Sequence, residues 1–251
     1  MSAISVRNLN YELPEKRILH DISFDLESGE IVSIMGPSGS GKTTLLKLLT
    51  GLLRPTSGQI IVEGTDIAKL SETELDVVRL KMGLVFQYAA LFDSLTVYDN
   101  ILFSVVRHRK RVPREELDTI VRERLDAVGL GEVEWLMPSQ LSGGMQKRVG
   151  LARALAMNPS FIFYDEPTSG LDPITAHTID ELIVETGRNR NVTSVVVSHH
   201  LPSVFRISDR VAMMYGGELV ALSTPKELLA SENKTVQAFL APERESRQQR
   251  F

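Results

Sequence analysis

Residues 31–43 read IVSIMGPSGSGKT, a short apolar run that leads directly into Gly36-Pro37-Ser38-Gly39-Ser40-Gly41-Lys42-Thr43. The second part matches the pattern G-x-x-x-x-G-K-[ST], in which glycines let backbone N–H groups wrap around a phosphate. A strand before the pattern and a predicted helix over 42–53 behind it argue against a turn without a ligand, since the helix adds its positive end. The stretch therefore predicts a phosphate-binding loop, with Lys42 on the β- and γ-phosphates and the Thr43 hydroxyl on Mg²⁺.

Around this segment, short apolar runs alternate with longer amphipathic stretches, as in α/β proteins. Two runs are apolar on both faces, 161–164 and 193–197, and we expect them to be central parallel strands. Gly216 and Gly217 can adopt the positive φ angles of a tight turn, so they predict a hairpin between the runs 211–215 and 218–222.

Between about residues 89 and 156 the strand-like runs disappear, and the pattern predicts helices over 97–107, 114–128 and 144–156. We interpret this part as a helical subdomain inserted between strands of the core. Residues 241–251 are mostly polar and charged, which predicts a mobile tail. The expected domain thus spans residues 1–240.

The composition limits the possible functions. The chain has 251 residues, of which 43% are hydrophobic, enough to bury the core of one domain. A net charge of -4 disfavours a nucleic-acid partner, and the lack of cysteine excludes disulfides, zinc-thiolate sites and thiol nucleophiles. We find no signal peptide and no apolar run near the ~20 residues that cross a bilayer. We therefore expect a soluble chain that reaches a membrane through a partner.

Asp165 and Glu166 end the apolar run 161–164. Carboxylates at the carboxyl end of a central strand face the crevice in which α/β sheets bind ligands. Asp165 can hold Mg²⁺, directly or through water, and Glu166 can take a proton from an attacking water. Alone, the pair could be a solvated loop entrance; beside a phosphate loop, it predicts nucleotide hydrolysis.

A third motif, Leu141-Ser142-Gly143-Gly144-Met145-Gln146, opens the predicted helix 144–156. A Ser-Gly-Gly turn offers N–H groups, a hydroxyl and a helix dipole to an anion, although by itself it fits an ordinary helix cap. Together with the two other motifs, the stretch LSGGMQKRVGLARAL resembles the signature of the ABC transporter ATPase family, and the resemblance covers roughly residues 4–240. It implies a P-loop NTPase (RecA-like) core, an antiparallel β subdomain, the inserted helical subdomain, and hydrolysis of ATP with Mg²⁺.

The resemblance also assigns single positions. Gln87 falls at the family's glutamine that senses Mg²⁺ and the attacking water, His199 at its switch histidine, and Tyr11 at the aromatic residue that stacks on adenine. The segment Ser169-Gly170-Leu171-Asp172 matches the D-loop, which crosses a dimer interface. The expected catalytic residues are Glu166, His199 and Gln87, and the metal ligands are Thr43, Gln87 and Asp165. The expected nucleotide-binding residues are Tyr11, Gly36, Pro37, Ser38, Gly39, Ser40, Gly41, Lys42, Thr43, Thr44, Ser142, Gly143, Gly144 and Asp172.

Two departures from the family pattern concern the edges of the site. His200 stands where most relatives carry aspartate, which alters the contacts of the loop but leaves His199 in register. The segment from Tyr11 to Lys16 lacks the glycine often found behind the aromatic residue.

The family also implies partners. Its subunits pack head to tail and bury two ATP molecules, so a second copy of the chain is expected to contribute Ser142, Gly143 and Gly144 to each site. An integral membrane permease is the other expected partner, which implies a peripheral location on the cytoplasmic face of the inner membrane. Leu91, Phe92 and Leu95 stand where the family forms a groove for a permease helix.

The transported substrate is less narrowly defined. Residues 87–100, QYAALFDSLTVYDN, resemble ATPases of the lipid-trafficking group that works with lipid-binding proteins of the mammalian-cell-entry type. We therefore expect phospholipid or another lipid, with a polar amino acid as the alternative, since those importers share part of this segment. A soluble ABC ATPase of ribosomes or DNA would carry two cassettes or a coiled-coil insertion, and the signature argues against a kinase or GTPase. The basic run at 107–111 predicts a solvated loop or, alternatively, a contact with anionic headgroups.

Overall fold

A computed structural model of the chain describes residues 2–248, and strands and helices follow one another along most of that length. The strands are β1 (Ser2–Leu13), β2 (Lys16–Glu27), β3 (Ile31–Met35), β4 (Ser57–Val62), β5 (Thr65–Asp66), β6 (Met82–Val85), β7 (Phe161–Asp165), β8 (Thr193–Val197), β9 (Arg210–Tyr215) and β10 (Glu218–Ser223). The helices are α1 (Lys42–Leu49), α2 (Glu72–Arg79), α3 (Val97–His108), α4 (Arg114–Asp126), α5 (Gly143–Leu155), α6 (Pro173–Arg190), α7 (Leu201–Ile207), α8 (Pro225–Leu229) and α9 (Lys234–Gln248).

The strands form two sheets. Four of them make an antiparallel sheet in the order β2-β1-β4-β5, and six make a second sheet in the order β10-β9-β3-β8-β7-β6. In the second sheet the strands from β9 to β6 are parallel, and β10 pairs antiparallel with β9. The expected α/β core, with 161–164 and 193–197 as central parallel strands, is confirmed.

The parallel strands are buried on both faces, which explains their unbroken apolar composition. Every residue of β3 and of β8 is buried, as are the first four residues of β7. The order β3-β8-β7-β6 has a direct consequence for the site. Because the carboxyl ends of parallel strands meet at one edge of a sheet, the loops that follow these four strands are neighbours.

The end of α1 differs from the prediction. The pattern predicts a helix over 42–53, whereas α1 ends at Leu49 with Thr50 as its C-cap. Gly51 then adopts φ +68°, and an added Cβ there would lie 2.8 Å from the Leu75 side chain. The left-handed glycine stops the helix, as is common at this position.

Helices α3, α4 and α5 lie in the chain between β6 and β7, where the sequence predicts a helical insertion. Their bounds agree with the predicted ones to within two residues. Buried residues of all three helices share one apolar core with β7 and β8, including Ile101, Leu125, Val149, Ile162 and Val196. The three helices therefore pack against the second sheet, at β7 and β8.

The carboxyl-terminal part begins with the expected hairpin. Gly216 and Gly217 join β9 to β10 with φ angles of +58° and +86°. Helix α9 then continues to Gln248, past residue 240, where the expected domain ends and the predicted tail begins. Residues 249–251 of the predicted tail lie outside the described residues, and the mobility of the tail stays a prediction. Within the described range, none of the helices has both the length and the hydropathy that a membrane span requires.

Candidate active site

The phosphate loop lies between β3 and α1, where the sequence predicts it. Gly36 adopts φ +146°, and a Cβ at this position would lie 2.1 Å from the Met214 carbonyl oxygen. Gly41 adopts φ +97° as the N-cap of α1, and a Cβ there would lie 2.6 Å from the Leu19 side chain. Both sites thus require glycine, since any side chain would collide with its neighbours. The loop delivers the chain to the N-terminus of α1, a position that favours anions.

Lys42 is half-buried and bends back over this loop. Its Nζ donates hydrogen bonds to the carbonyl oxygens of Gly36 at 2.8 Å and Pro37 at 2.9 Å. Burial lowers the pKa of Lys42, while the carboxylates of Glu166 and Asp165 act in the opposite direction. The ammonium group is therefore held at the loop by neutral carbonyls, close to two acidic residues.

Asp165 ends β7 opposite the start of α1. The Thr43 hydroxyl donates to its Oδ1 at 3.3 Å, so two oxygen ligands of the kind that Mg²⁺ prefers lie side by side. Burial raises the pKa of the Asp165 carboxyl, and the neighbouring Glu166 adds to that rise. A nearby cation would stabilise the charged form of this carboxyl.

The side chains of Glu166 and His199 lie in hydrogen-bonding contact, although they follow different strands. His199 Nδ1 lies 2.8 Å from Glu166 Oε2, and the backbone N–H of His199 donates to the same oxygen at 3.3 Å. The Glu166 side chain is 13% exposed and that of His199 is 66% exposed, so one member is enclosed and the other faces solvent. Glu166 also adopts φ +51°, a left-handed conformation that costs a glutamate about 1–3 kcal/mol.

A cavity of about 210 Å³ opens beside this pair. Its walls include Glu166, His199, Ser169 and Gly170, so it connects the Glu166–His199 pair with the segment that resembles a D-loop. His200 also lines it, and the Nδ1 atom of His200 lies 2.8 Å from the Ser203 hydroxyl. His200 thus contacts α7, of which it is the N-cap residue.

Gln87 follows β6 and points toward the same segment. Its Nε2 donates to the Ser169 hydroxyl at 3.3 Å. Lys147, on α5, approaches from the other side and donates to the carbonyl oxygens of Pro167 at 2.8 Å and Ser169 at 2.6 Å. Lys147 was not among the predicted site residues. A lysine within a polar helical stretch gives no signal of burial, so sequence reasoning had no means of finding it.

The turn at Ser142 opens α5 as predicted. Ser142 is the N-cap residue, and its hydroxyl accepts a hydrogen bond from the Met145 N–H at 3.3 Å. Ser142 and Gly143 are exposed, and an added Cβ at Gly143 would meet nothing within 4 Å. Among residues 2–248, this turn makes no hydrogen bond to the phosphate loop of its own chain. Ser142 and Gly143 are therefore accessible to a ligand or partner from outside the chain.

The remaining predicted residues surround this arrangement. Tyr11 lies on β1 opposite Leu19, whose side chain reaches Gly41. Thr44 lies in the first turn of α1, next to Thr43. Asp172 is the N-cap of α6 and accepts hydrogen bonds from the N–H groups of Ile174 and Thr175, at 3.0 and 3.1 Å. The Asp172 carboxylate is therefore engaged in its own helix cap.

A second and larger cavity, of about 520 Å³, lies between α2 and α3. Exposed aromatic side chains of Phe86, Phe92 and Phe103 contribute to its wall, together with Arg107 and Arg153. Of the three residues expected to form a groove, Phe92 alone lines this cavity. Leu91 packs against the core of the helical layer, and the groove role of Leu91 and Leu95 stays a prediction.

Comparisons with known proteins identify the family of the chain. A family model described as ABC transporter matches residues 19–169. MlaF of Haemophilus influenzae, named "Intermembrane phospholipid transport system ATP-binding protein", is 42% identical over 96% of this chain and 90% of its own length. The "Probable ribonucleotide transport ATP-binding protein mkl" of Mycobacterium leprae is 40% identical over 95% of this chain and 68% of its own length.

A solved structure agrees as well. The dimeric ATP-binding cassette MJ0796, in a post-hydrolysis state bound to ADP and Pi, has a TM-score of 0.80 and 34% identity, covering 88% of this chain and 98% of its own. The segment that the family model matches is more than half of the chain and contains the phosphate loop, the Ser142 turn and the Asp165–Glu166 pair. The chain therefore belongs to the ABC transporter family, as an ATP-binding cassette that hydrolyses ATP.

Proposed function

We propose that this chain is the ATP-hydrolysing subunit of a transporter for phospholipid or another lipid, working with a separate membrane permease. The observation that supports ATP hydrolysis at this site is the Glu166–His199 pair beside the phosphate loop, in which His199 Nδ1 lies 2.8 Å from Glu166 Oε2. Four neighbouring parallel strands deliver the loop, His199, the acidic pair and Gln87 to one edge of the sheet. This is the place at which α/β sheets bind ligands.

The phosphates of ATP are bound by backbone N–H groups of the loop 36–44, in which Pro37 offers none, and by Lys42. Thr43 and Asp165 would hold Mg²⁺. Gln87 is the third metal ligand that the family resemblance implies. Among the side chains that the structure describes, those of residues 2–189 and 191–241, no group of three or more acidic, His or Cys side chains can hold a metal by itself, so phosphate and water would complete the shell. When bound, Mg²⁺ neutralises charge that develops on the transferred phosphoryl group.

Glu166 accepts the proton of the attacking water. Its carboxylate is enclosed and is held by two contacts from His199, which fix its position for that transfer. The left-handed backbone of Glu166 supports the assignment, because strained residues cluster at sites where the surroundings dictate one geometry. His199 is exposed enough to reach a γ-phosphate.

A second copy completes each site. The Ser142 turn presents a helix N-terminus outward, and it makes no hydrogen bond to the phosphate loop within the described part of its own chain. Placed over the γ-phosphate of the partner copy, its N–H groups would exclude water and stabilise negative charge. MJ0796, similar over 98% of its length, forms a dimer, which supports this arrangement.

The lipid substrate rests on similarity. The relative named for phospholipid transport matches over 90% of its length, whereas the one named for ribonucleotide transport matches over 68%. The resemblance of residues 87–100 to ATPases of the lipid-trafficking group favours phospholipid. A polar amino acid remains the alternative from the sequence. A lipid-binding protein of the mammalian-cell-entry type is an additional proposed partner, and no nucleic acid is expected.

The permease is proposed to bind at the cavity between α2 and α3, which would hold the chain on the cytoplasmic face of the inner membrane. Phe92 is 42% exposed there, and its ring centroid lies 4.4 Å from that of Phe103. Exposed aromatic pairs at a concave surface are characteristic of protein interfaces. The Arg153 guanidinium, 5.9 Å from the Phe92 centroid, stiffens the wall by donating to Ala90 and Ala89.

Phe92→Asp is expected to abolish assembly with the permease while the isolated subunit stays folded and binds ATP. The change places a charge in an apolar contact, and the Phe92 side chain is already partly in solvent, so folding loses little. Co-purification with the tagged permease measures the effect. Tyr88→Asp is the matched control, since Tyr88 is 80% exposed and lies outside the cavity wall. Normal assembly of Phe92→Asp would place the permease elsewhere.

The cargo is tested with the complex in vesicles. We expect phospholipid, presented with a lipid-binding partner, to stimulate ATP hydrolysis several-fold, because ATP turnover in a coupled transporter follows cargo binding. A panel of polar amino acids with their binding proteins and of ribonucleotides should leave the rate at its basal value. Stimulation by a member of that panel, with none by lipid, would refute the lipid proposal and leave the ATPase assignment intact.

A further inference from the structure

Lys147 is a buried lysine, although lysines on protein helices are normally exposed to solvent. It lies on α5, five residues behind Ser142, and is 9% exposed. Its ammonium group has carbonyl oxygens as its hydrogen-bond partners, those of Pro167 and Ser169. Burial lowers the pKa of Lys147, and the carboxylate of Glu166 acts against that change. A buried ammonium is costly, so its hydrogen bonds must offset the loss of water.

The two carbonyls belong to the short segment that leads from Glu166 to the D-loop. Thr168 stands between them, 7% exposed. The Ser169 N–H donates to the Glu166 carbonyl at 3.1 Å, and the Ser169 hydroxyl receives the hydrogen bond of Gln87. Segment 167–169 is thus fastened to α5 by Lys147, to the loop behind β6 by Gln87, and to the end of β7 by its own backbone.

We propose that Lys147 is a positioning residue that couples the seating of the Ser142 turn to the position of Glu166. Lys147 lies five positions after Ser142, about 7.5 Å along a rigid helix, so a shift of the turn must move the ammonium group. The two short hydrogen bonds then carry that shift to segment 167–169. The inference rests on the proposed function, in which the turn closes over the ATP of the partner copy.

The coupling has a defined direction. When the turn docks on the partner's nucleotide, α5 is held, and Lys147 holds segment 167–169 in the arrangement that presents Glu166. When the turn is free, α5 can tilt, and the segment loses an anchor that donates two hydrogen bonds. The site that contains Glu166 therefore reaches full activity when α5 of the same chain is docked on the partner's nucleotide. This dependence links the two ATP sites of the dimer to each other.

Lys147→Met tests this in the full-length chain, because methionine fills the space without donating a hydrogen bond. We expect kcat to fall about tenfold, as loss of a charged hydrogen bond implies, with the KM for ATP changing less than twofold. Lys147→Gln retains N–H donors and should recover most of kcat. Arg148→Met is the matched control. Arg148 is next on the same helix and donates to Gly129 at 3.0 Å, away from the site, so its kcat should stay within twofold.

A second measurement separates positioning from general stability. The chain has no cysteine, so Thr168→Cys introduces a single, buried thiol into the segment. With Lys147→Met, alkylation of this thiol should become about tenfold faster, while Arg148→Met should leave the alkylation rate unchanged. Should Lys147→Met prove unstable, Lys147→Leu, which also lacks an N–H donor, replaces it in the same assay, and Lys147→Gln should keep the native alkylation rate.

Unchanged kcat and unchanged alkylation in Lys147→Met would overturn the proposal. So would a loss of kcat that Arg148→Met reproduces, or one that comes with an equal loss of ATP binding. These outcomes differ from a failure of the proposed function. If Glu166→Gln hydrolyses ATP normally, the site itself is misassigned; if Glu166→Gln is inactive and Lys147→Met is normal, this inference alone fails.

Discussion

Glu166→Gln is expected to lower kcat for ATP hydrolysis by a factor of about 10²–10⁴, the usual contribution of a general base. Glutamine has the same shape and its Oε1 can still accept the hydrogen bond from His199 Nδ1, which spans 2.8 Å in the native pair. What it lacks is the basicity to remove a proton from water. ATP affinity should therefore stay within a few-fold of the native value, as measured by equilibrium binding and by single-turnover hydrolysis.

The variant should also accumulate as a dimer, because ATP holds the two copies together until it is hydrolysed. Light scattering during gel filtration with ATP and Mg²⁺ measures this directly. Lys42→Ala is the contrasting variant: it removes a charge that contacts phosphate in the ground state, so it should weaken nucleotide binding itself. Near-native turnover by Glu166→Gln would contradict the assignment of this residue as proton acceptor.

The parts of the fold that could be predicted are those in which local geometry dictates residue type. Gly36 and Gly41 occupy positions where a Cβ would collide, at 2.1 and 2.6 Å, with neighbouring atoms. The strands β3 and β8 are buried along their whole length, so they must be apolar throughout. Such constraints can be recognised in a single sequence because each acts within a short stretch of residues.

Other features depend on contacts between distant segments, and the sequence contains no local sign of them. Lys147 is buried because segment 167–169 offers two carbonyls to it, a fact of tertiary packing. Leu91 is partly buried against the helical core, while its neighbour Phe92 is 42% exposed. The pairing of Glu166 with His199 depends on β7 and β8 lying side by side, an arrangement that periodicity does not reveal.

Ser142→Arg is expected to abolish dimerisation and to lower turnover by more than about 10²-fold, while the monomer binds ATP with nearly native affinity. The long charged side chain would project from an exposed turn into the space that the partner's γ-phosphate occupies, and it would displace the N–H donors proposed to stabilise charge there. Because the same turn makes no hydrogen bond to the phosphate loop within residues 2–248 of its own chain, binding by the monomer should be spared. Equilibrium titration with ATP, light scattering and steady-state hydrolysis measure the three quantities.

The substitution also removes a helix cap, which by itself costs about 1 kcal/mol of stability, so the experiment needs a variant with the same defect elsewhere. Ser71→Arg provides it, since Ser71 is the N-cap of α2 and accepts a hydrogen bond from the Glu74 N–H. Comparable stability of the two variants, with dimerisation lost in Ser142→Arg alone, assigns the effect to the interface. If ATP binding by the Ser142→Arg monomer fell as steeply as its turnover, the turn would act on the nucleotide of its own chain, and the proposed exchange between copies would be wrong.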